Sequence, residues 1–136
     1  MDYWNELIEL TKKAAKKGEV PVAALIVKDG KIIAKSYNLR EKKQNILGHA
    51  EIIAINKASK KLRTWKLSDC ELYVSLKPCK MCEEIIKQSR LKSVFYLLEK
   101  PENKKEYRKT TFNQDESPVW QAKYKTIMAN FFKNLR

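Results

Sequence analysis

Two cysteines at the opening of a helix constrain this chain more than any other feature. Leu76-Lys77-Pro78-Cys79-Lys80-Met81-Cys82-Glu83-Glu84-Ile85-Ile86 reads as a strand ending at Pro78 and a helix that begins on Cys79. Proline is tolerated at a helix start because the first amides have no intrahelical acceptor. Residues three apart share a helical face, so Cys79 and Cys82 lie one above the other. The positive helix end also favours their thiolates, the form that binds metal. Two thiolates are half of a zinc site. The other half has to draw on the only histidine in the sequence, His49, in Gly48-His49-Ala50-Glu51 at the start of a second apolar-periodic run. The fold must therefore bring two helix starts together across 30 positions of sequence. One His and two Cys leave a fourth tetrahedral position for water, whereas structural zinc sites usually fill all four. Glu51, two residues past the histidine, is placed to move protons to and from that water. A Cys-x-x-Cys pair taken alone equally fits a redox motif or an inert buried pair, and a lone histidine at a helix start is more often a cap or a core residue. The conjunction is what argues for a metal.

At 136 residues the chain is expected to form one domain, 1–136, with a core of its own. Of three cysteines, Cys70 is left over and reads as a small buried hydrophobe beside the strand it precedes. No disulfide framework fits that count, and a thiolate site suits a reducing, cytoplasmic compartment. Met1 to Leu10 carries Asp2, Glu6 and Glu9 inside a helical pattern, unlike a signal peptide. The apolar runs are too short to span a bilayer, so no membrane partner is expected. The net charge of +13, from 29 basic and 16 acidic residues, suits a polyanion, with nucleic acid first. The competing explanation is compositional: 24 of the 29 basic residues are Lys, which solvated faces accommodate without a partner.

The periodicities give an element order. Tyr3 to Lys17 is a helix with Trp4, Leu7, Ile8, Leu10, Ala14 and Ala15 on one stripe. Val20 to Val27 is a buried strand, joined through an Asp29-Gly30 turn to a strand over 31–38. A charged loop over 40–47 leads to a helix from about His49 to Leu62, with Ile52, Ile53, Ile55 and Ala58 turned inward. A strand over 70–76, a helix over about 79–89 and a strand over 92–98 follow. Glu99 to Pro118 reads as a surface loop or a short helix, and Val119 to Leu135 as a closing helix. The hairpin pairs antiparallel and the two strand–helix crossovers imply parallel connections. The fold class expected is α/β: a three-layer α/β/α mixed sheet with helices on both faces.

The spacing of His-x-Glu and Pro-Cys-x-x-Cys matches the signature of zinc nucleobase deaminases. Over most of its length the sequence resembles the cytidine-deaminase-like superfamily, and within it the bacterial tRNA adenosine deaminases. Glu19-Val20-Pro21-Val22 is similar to that family's first strand, Ala50 to the middle of its His-Ala-Glu, and Met81 to its Pro-Cys-x-Met-Cys. Ser36-Tyr37-Asn38 falls where those enzymes have a substrate-contacting Asn, and Ser89-Arg90 with Val94 and Phe95 follow the family's next strand. Phe131-Phe132 and Arg136 resemble the terminal helix of the tRNA enzymes. Three positions depart from the pattern. Lys77 stands where the family usually has Glu, and Ala23 replaces a Gly. Leu97-Leu98-Glu99-Lys100-Pro101 replaces an Asp-x-Lys-x-Gly-Ala stretch.

The resemblance implies zinc-dependent hydrolytic deamination of adenosine to inosine at the tRNA wobble position. Zn2+, one per chain, would be held by His49, Cys79 and Cys82, with Glu51 as the catalytic proton shuttle and Asn38 and Ala50 binding the base. It also implies the tRNA anticodon loop as partner and a homodimer in which the partner completes each site. If tRNA is the substrate, Lys60, Lys61, Arg63, Lys104, Lys105, Arg108, Lys109, Lys133 and Arg136 should gather around the pocket mouth. Two rivals remain open: a deaminase of a free base or nucleotide, of guanine or deoxycytidylate type, and a non-catalytic zinc module that binds nucleic acid.

Overall fold

The computed structural model describes residues 2–99 and 110–135. The chain divides into two compact units, Met1–Glu102 and Asn103–Arg136. The first opens with α1, Tyr3–Lys16, whose start is capped by Asp2 accepting the Trp4 and Asn5 amides. β1, Ala23–Lys28, and β2, Lys31–Tyr37, form the antiparallel hairpin. Asp29 and Gly30 both take positive φ, 50° and 75°, the backbone a two-residue turn of this hand requires. β1 starts later than the apolar run, because the Val22 amide bonds the Val20 carbonyl and Pro21 has no amide to offer a ladder.

After β2 the chain makes α2, Arg40–Lys43, a short helix inside the stretch expected to be a plain loop. Then come α3, Ala50–Leu62, β3, Cys70–Leu76, α4, Lys80–Gln88, and β4, Ser93–Leu98. The strand order is β2-β1-β3-β4. β1 is antiparallel to both its neighbours, and β3 and β4 are parallel. β2 and β3 therefore run the same way on either side of β1. Both crossovers join parallel strands, as the element order implied.

Period-two alternation along β1 divides the core. Ala23, Leu25 and Val27 face Leu7 and Leu10 of α1, while Ala24 and Ile26 face α3 with Leu72 and Val74 of β3. Helices thus cover both faces of the mixed sheet. The inward line of α3 is Ala50, Ala54 and Ala58 with Ile55, and Ile52 and Ile53 are only half-buried, contrary to expectation. Alanines at every fourth position let α3 lie close on the sheet, where an isoleucine would hold it off. Cys70 is buried at the start of β3.

In the second unit, α5, Pro118–Lys133, has Pro at its first turn and leaves Trp120, Tyr124, Ile127, Phe131 and Phe132 exposed. Lys104, Lys105, Arg108, Lys109 and Arg136, expected to meet phosphates, lie outside the described residues, as does half of the expected loop over 99–118. No described helix is long and apolar enough to cross a membrane.

Candidate metal centre and substrate cleft

Because β2 and β3 run in the same direction, the segments that leave them emerge at the same end of the sheet. Each leads into a helix, and α3 and α4 touch. His49 is the residue preceding α3, and Cys79 the residue preceding α4, both in extended backbone conformation. Neither side chain caps its own helix. Cys82 follows in the first turn of α4 and is fully buried.

His49 Nδ1 lies 3.8 Å from Cys79 Sγ and 3.5 Å from Cys82 Sγ. Zinc bonds of about 2.3 Å to sulfur and about 2.0–2.1 Å to nitrogen, set at a tetrahedral angle, place S and N about 3.6 Å apart. The three ligand atoms all lie within 4.8 Å of one another. The electrostatics point the same way. Burial, then the charges of Glu51 and Cys79, push the Cys82 thiol well above its ordinary range. A thiolate in that place is costly beside a carboxylate and a second thiol, and a divalent cation among them reverses the sign of the field. The donor set therefore fits a metal, and soft sulfur with imidazole suits zinc.

The surrounding backbone holds these groups in place. Ser36 of β2 donates its hydroxyl to the Ala50 carbonyl, tying the start of α3 to the sheet. The Leu39 amide bonds the Gly48 carbonyl at 2.8 Å, closing the segment that carries α2 back on itself. Gly48 has no positive φ, and its reason is space. A Cβ there would lie 2.6 Å from the Arg40 nitrogen, 2.7 Å from its Cα and 2.9 Å from the Leu39 carbonyl carbon. Glu19, 4 % exposed, accepts the Glu41 amide at 3.0 Å and the Lys42 amide at 2.8 Å, one on each oxygen. It anchors α2 to the segment entering β1.

A cleft of about 150 Å³ opens over the cluster, lined by His49, Ala50, Glu51 and Cys79, with Val20, Val22 and Leu76 as apolar walls. Glu51, in the first turn of α3, is 4 % exposed. Asn38, also buried, lines the cleft and accepts the Arg40 amide on Oδ1 at 3.0 Å. A backbone N–H can only donate, so the carboxamide oxygen must face it, which fixes the orientation of the amide and keeps the NH2 as a donor. Arg40 and Lys77 complete the lining with side chains 40 % and 41 % exposed, which places them at the rim.

The six residues singled out in the sequence thus meet in one place: His49, Cys79 and Cys82 as a metal triangle, with Glu51, Asn38 and Ala50 around the cleft beside it. The expected basic collar does not form from α3. Lys60 is ten residues beyond Ala50, about 15 Å along the helix, and Lys61 and Arg63 lie further still. Helix rise carries them away from the site. Glu19, Ser36 and Gly48 were not singled out for this work. A glycine beside the only histidine, in a chain with three glycines, was the available signal.

A family model described as MafB19-like deaminase matches residues 1–136. A curated relative from Bacillus subtilis, a tRNA-specific adenosine deaminase, is 46% identical over 94 residues, which is 69% of this chain and 58% of that protein. The chain spans less than two thirds of that relative's length. A solved structure concerned with A-to-I editing by tRNA:A34 deaminases at the wobble position aligns at 34% identity and a TM-score of 0.70, covering 73% of this chain and 77% of its own. A guanine deaminase from Bacillus subtilis aligns at 30% identity and a TM-score of 0.78, covering 95% of each chain.

Proposed function

We propose, from the premise that this chain belongs to the MafB19-like deaminase family within the cytidine-deaminase-like superfamily, that it hydrolyses adenosine to inosine at the wobble position of tRNA. The observation that carries the chemistry is a zinc-sized triangle of His49, Cys79 and Cys82 with the buried Glu51 carboxylate in the same small cleft. A non-catalytic zinc module has no use for that carboxylate. The tRNA substrate is supported by the names of the relatives and by the +13 charge.

One Zn2+ held by His49, Cys79 and Cys82 would supply a water acidified toward neutral pH. Glu51 accepts a proton from the attacking water as its oxygen adds to the carbon bearing the exocyclic amine. The same carboxylate then delivers protons to the ring nitrogen and to the departing ammonia, so one water enters and inosine and ammonia leave. Asn38 donates its NH2 to a ring acceptor, the amide being oriented by the bond its oxygen accepts from the Arg40 amide. Val20, Val22 and Leu76 line the ring and thin out competing water. A base in an anticodon loop is already close to single-stranded, so its extrusion costs little.

The two units together make one deaminase domain in this reading, since the family match spans both. The protein acts in the cytoplasm as a homodimer. Exposed apolar side chains on α5 and on β4, where Phe95, Leu97 and Leu98 face solvent, support a second copy as partner. A second reading, deamination of free guanine, is favoured by the guanine deaminase aligning over 95% of both chains. Zinc-loaded protein incubated separately with tRNA, adenosine and guanine, with ammonia and inosine measured, separates them. Inosine in tRNA at the wobble position is expected. Faster ammonia release from free guanine overturns the tRNA assignment and establishes the second reading.

A further inference from the structure

We propose that Lys77 and Arg40 bind a phosphate of the nucleotide whose base occupies the cleft, so that the site selects a phosphorylated nucleoside over a free base. The proposal deepens the deaminase reading and rests on it for the base. Ligand pockets usually run to about 300–1,000 Å³, whereas this one holds about 150 Å³. That admits one ring system and leaves a sugar and its phosphate at the rim. The side chains at the rim are Arg40 and Lys77, both cationic. The carboxylate that lines the same cleft, Glu51, is buried.

Both cations are held only loosely by acids. Arg40 Nη2 lies 3.5 Å from Glu41 of its own helix, and Lys77 Nζ lies 3.5 Å from Glu99 Oε2. These are long, exposed pairs of the kind that contribute little and yield to a better anion. Glu99 has a second partner, since its Oε1 accepts the Tyr96 hydroxyl at 2.7 Å. Lys77 can therefore leave without stranding the carboxylate.

The roots of both side chains are fixed. The Lys77 amide bonds the Leu98 carbonyl at 2.9 Å, and Pro78 restrains the residue before it. The Arg40 amide is held by Asn38 Oδ1. One residue thus touches the base and sets the root of a phosphate ligand, coupling the two ends of a nucleotide.

The test uses the full-length, zinc-loaded Glu51→Gln protein, so that probes survive, and measures binding of adenosine, adenosine 5′-monophosphate and an anticodon stem-loop RNA by calorimetry. In the parent, the phosphorylated probes bind tighter than adenosine. Lys77→Glu lowers that preference about tenfold, the scale of one charged hydrogen bond, and Arg40→Gln lowers it less. Glu99→Gln raises it by about two- to threefold by releasing Lys77. The log–log salt slope for the stem-loop also flattens by about 0.7 in Lys77→Glu, a change that a merely structural lysine would not produce. A preference seen with the monophosphate assigns a terminal phosphate, and one seen only with the stem-loop assigns a diester. An unchanged preference in folded, zinc-containing Lys77→Glu overturns the proposal, as does a parent that does not distinguish phosphorylated probes from adenosine. Wild-type protein that releases no ammonia from any probe overturns the deaminase reading instead, a result that the binding data do not depend on.

Discussion

Gly48→Ala isolates the geometry of the metal site from its chemistry. The glycine has no positive φ, so alanine fits its backbone conformation and the perturbation is the added methyl alone. That methyl would meet the Arg40 nitrogen at 2.6 Å, against about 3.4 Å for ordinary contact, and the atoms it meets are all backbone. No flexible side chain can swing aside, so the strand of chain at 48 or the start of α2 must move by about 0.8 Å. Movement of α2 is resisted by Glu19, which grips the Glu41 and Lys42 amides, so residue 48 yields. His49 is the next residue. Metal–ligand distances tolerate about 0.2 Å, and the present Nδ1–Sγ separations of 3.5 and 3.8 Å already match a tetrahedral ion. A shift of even half of 0.8 Å at His49 exceeds that tolerance. Zinc affinity should fall about 10- to 100-fold, the range seen when a ligand loses its support, and stability by about 1–3 kcal/mol from overpacking. Chelator competition with a zinc-sensitive dye and thermal melts of the zinc-loaded protein read the two effects. Wild-type zinc affinity in Gly48→Ala, with the fold intact, would refute the argument that this close approach positions His49.

Replacing His49, Cys79 or Cys82 by Ala should abolish stoichiometric zinc, measured by elemental analysis, and lower the melting temperature, because binding energy here is folding energy; full zinc in all three variants rules the site out. Glu51→Gln should keep zinc and fold while turnover drops by at least ~100-fold; unchanged turnover removes Glu51 from the proton path. Glu19→Gln keeps one acceptor oxygen and leaves one part-buried amide, of Glu41 or Lys42, without its carboxylate partner, which should cost about 0.5–1.5 kcal/mol in a denaturant titration. Stability equal to wild type would show that α2 is held by something else.

The sequence announced the parts of this molecule that repeat or that carry unusual chemistry. Cys70–Leu76 alternates sharply between turn residues, and its limits are the same in sequence and structure. His49, Cys79 and Cys82 were legible because metal ligands come from few residue types at fixed spacings. What was hidden is non-local. Val20 looks like strand, yet the Val22 amide turns back on it before the ladder begins. Arg40 to Lys43 is too short and too charged for periodicity to show a helix, and what holds it is a carboxylate about twenty residues earlier. The inward face of α3 was misread because isoleucine is more hydrophobic than alanine, while the sheet beneath selects for size.

The placement of β1 between two strands that run the other way has a consequence for how such a protein can diverge. Asn38, Arg40 and His49 to Glu51 after β2, and Lys77 and Cys79 after β3, shape the cleft from outside the ladder, while Val20 and Val22 before β1 and Leu76 of β3 complete its walls. The residues outside the ladder can be recoded, lengthened or recharged without shifting the register that keeps two helix starts together. β1 has no such freedom, since Ala23 to Val27 is buried on both faces and any change there is felt by two cores at once. Inheritance over a lineage should therefore be lopsided, with a conservative centre that retains the reaction and a permissive margin on which new clients are tried.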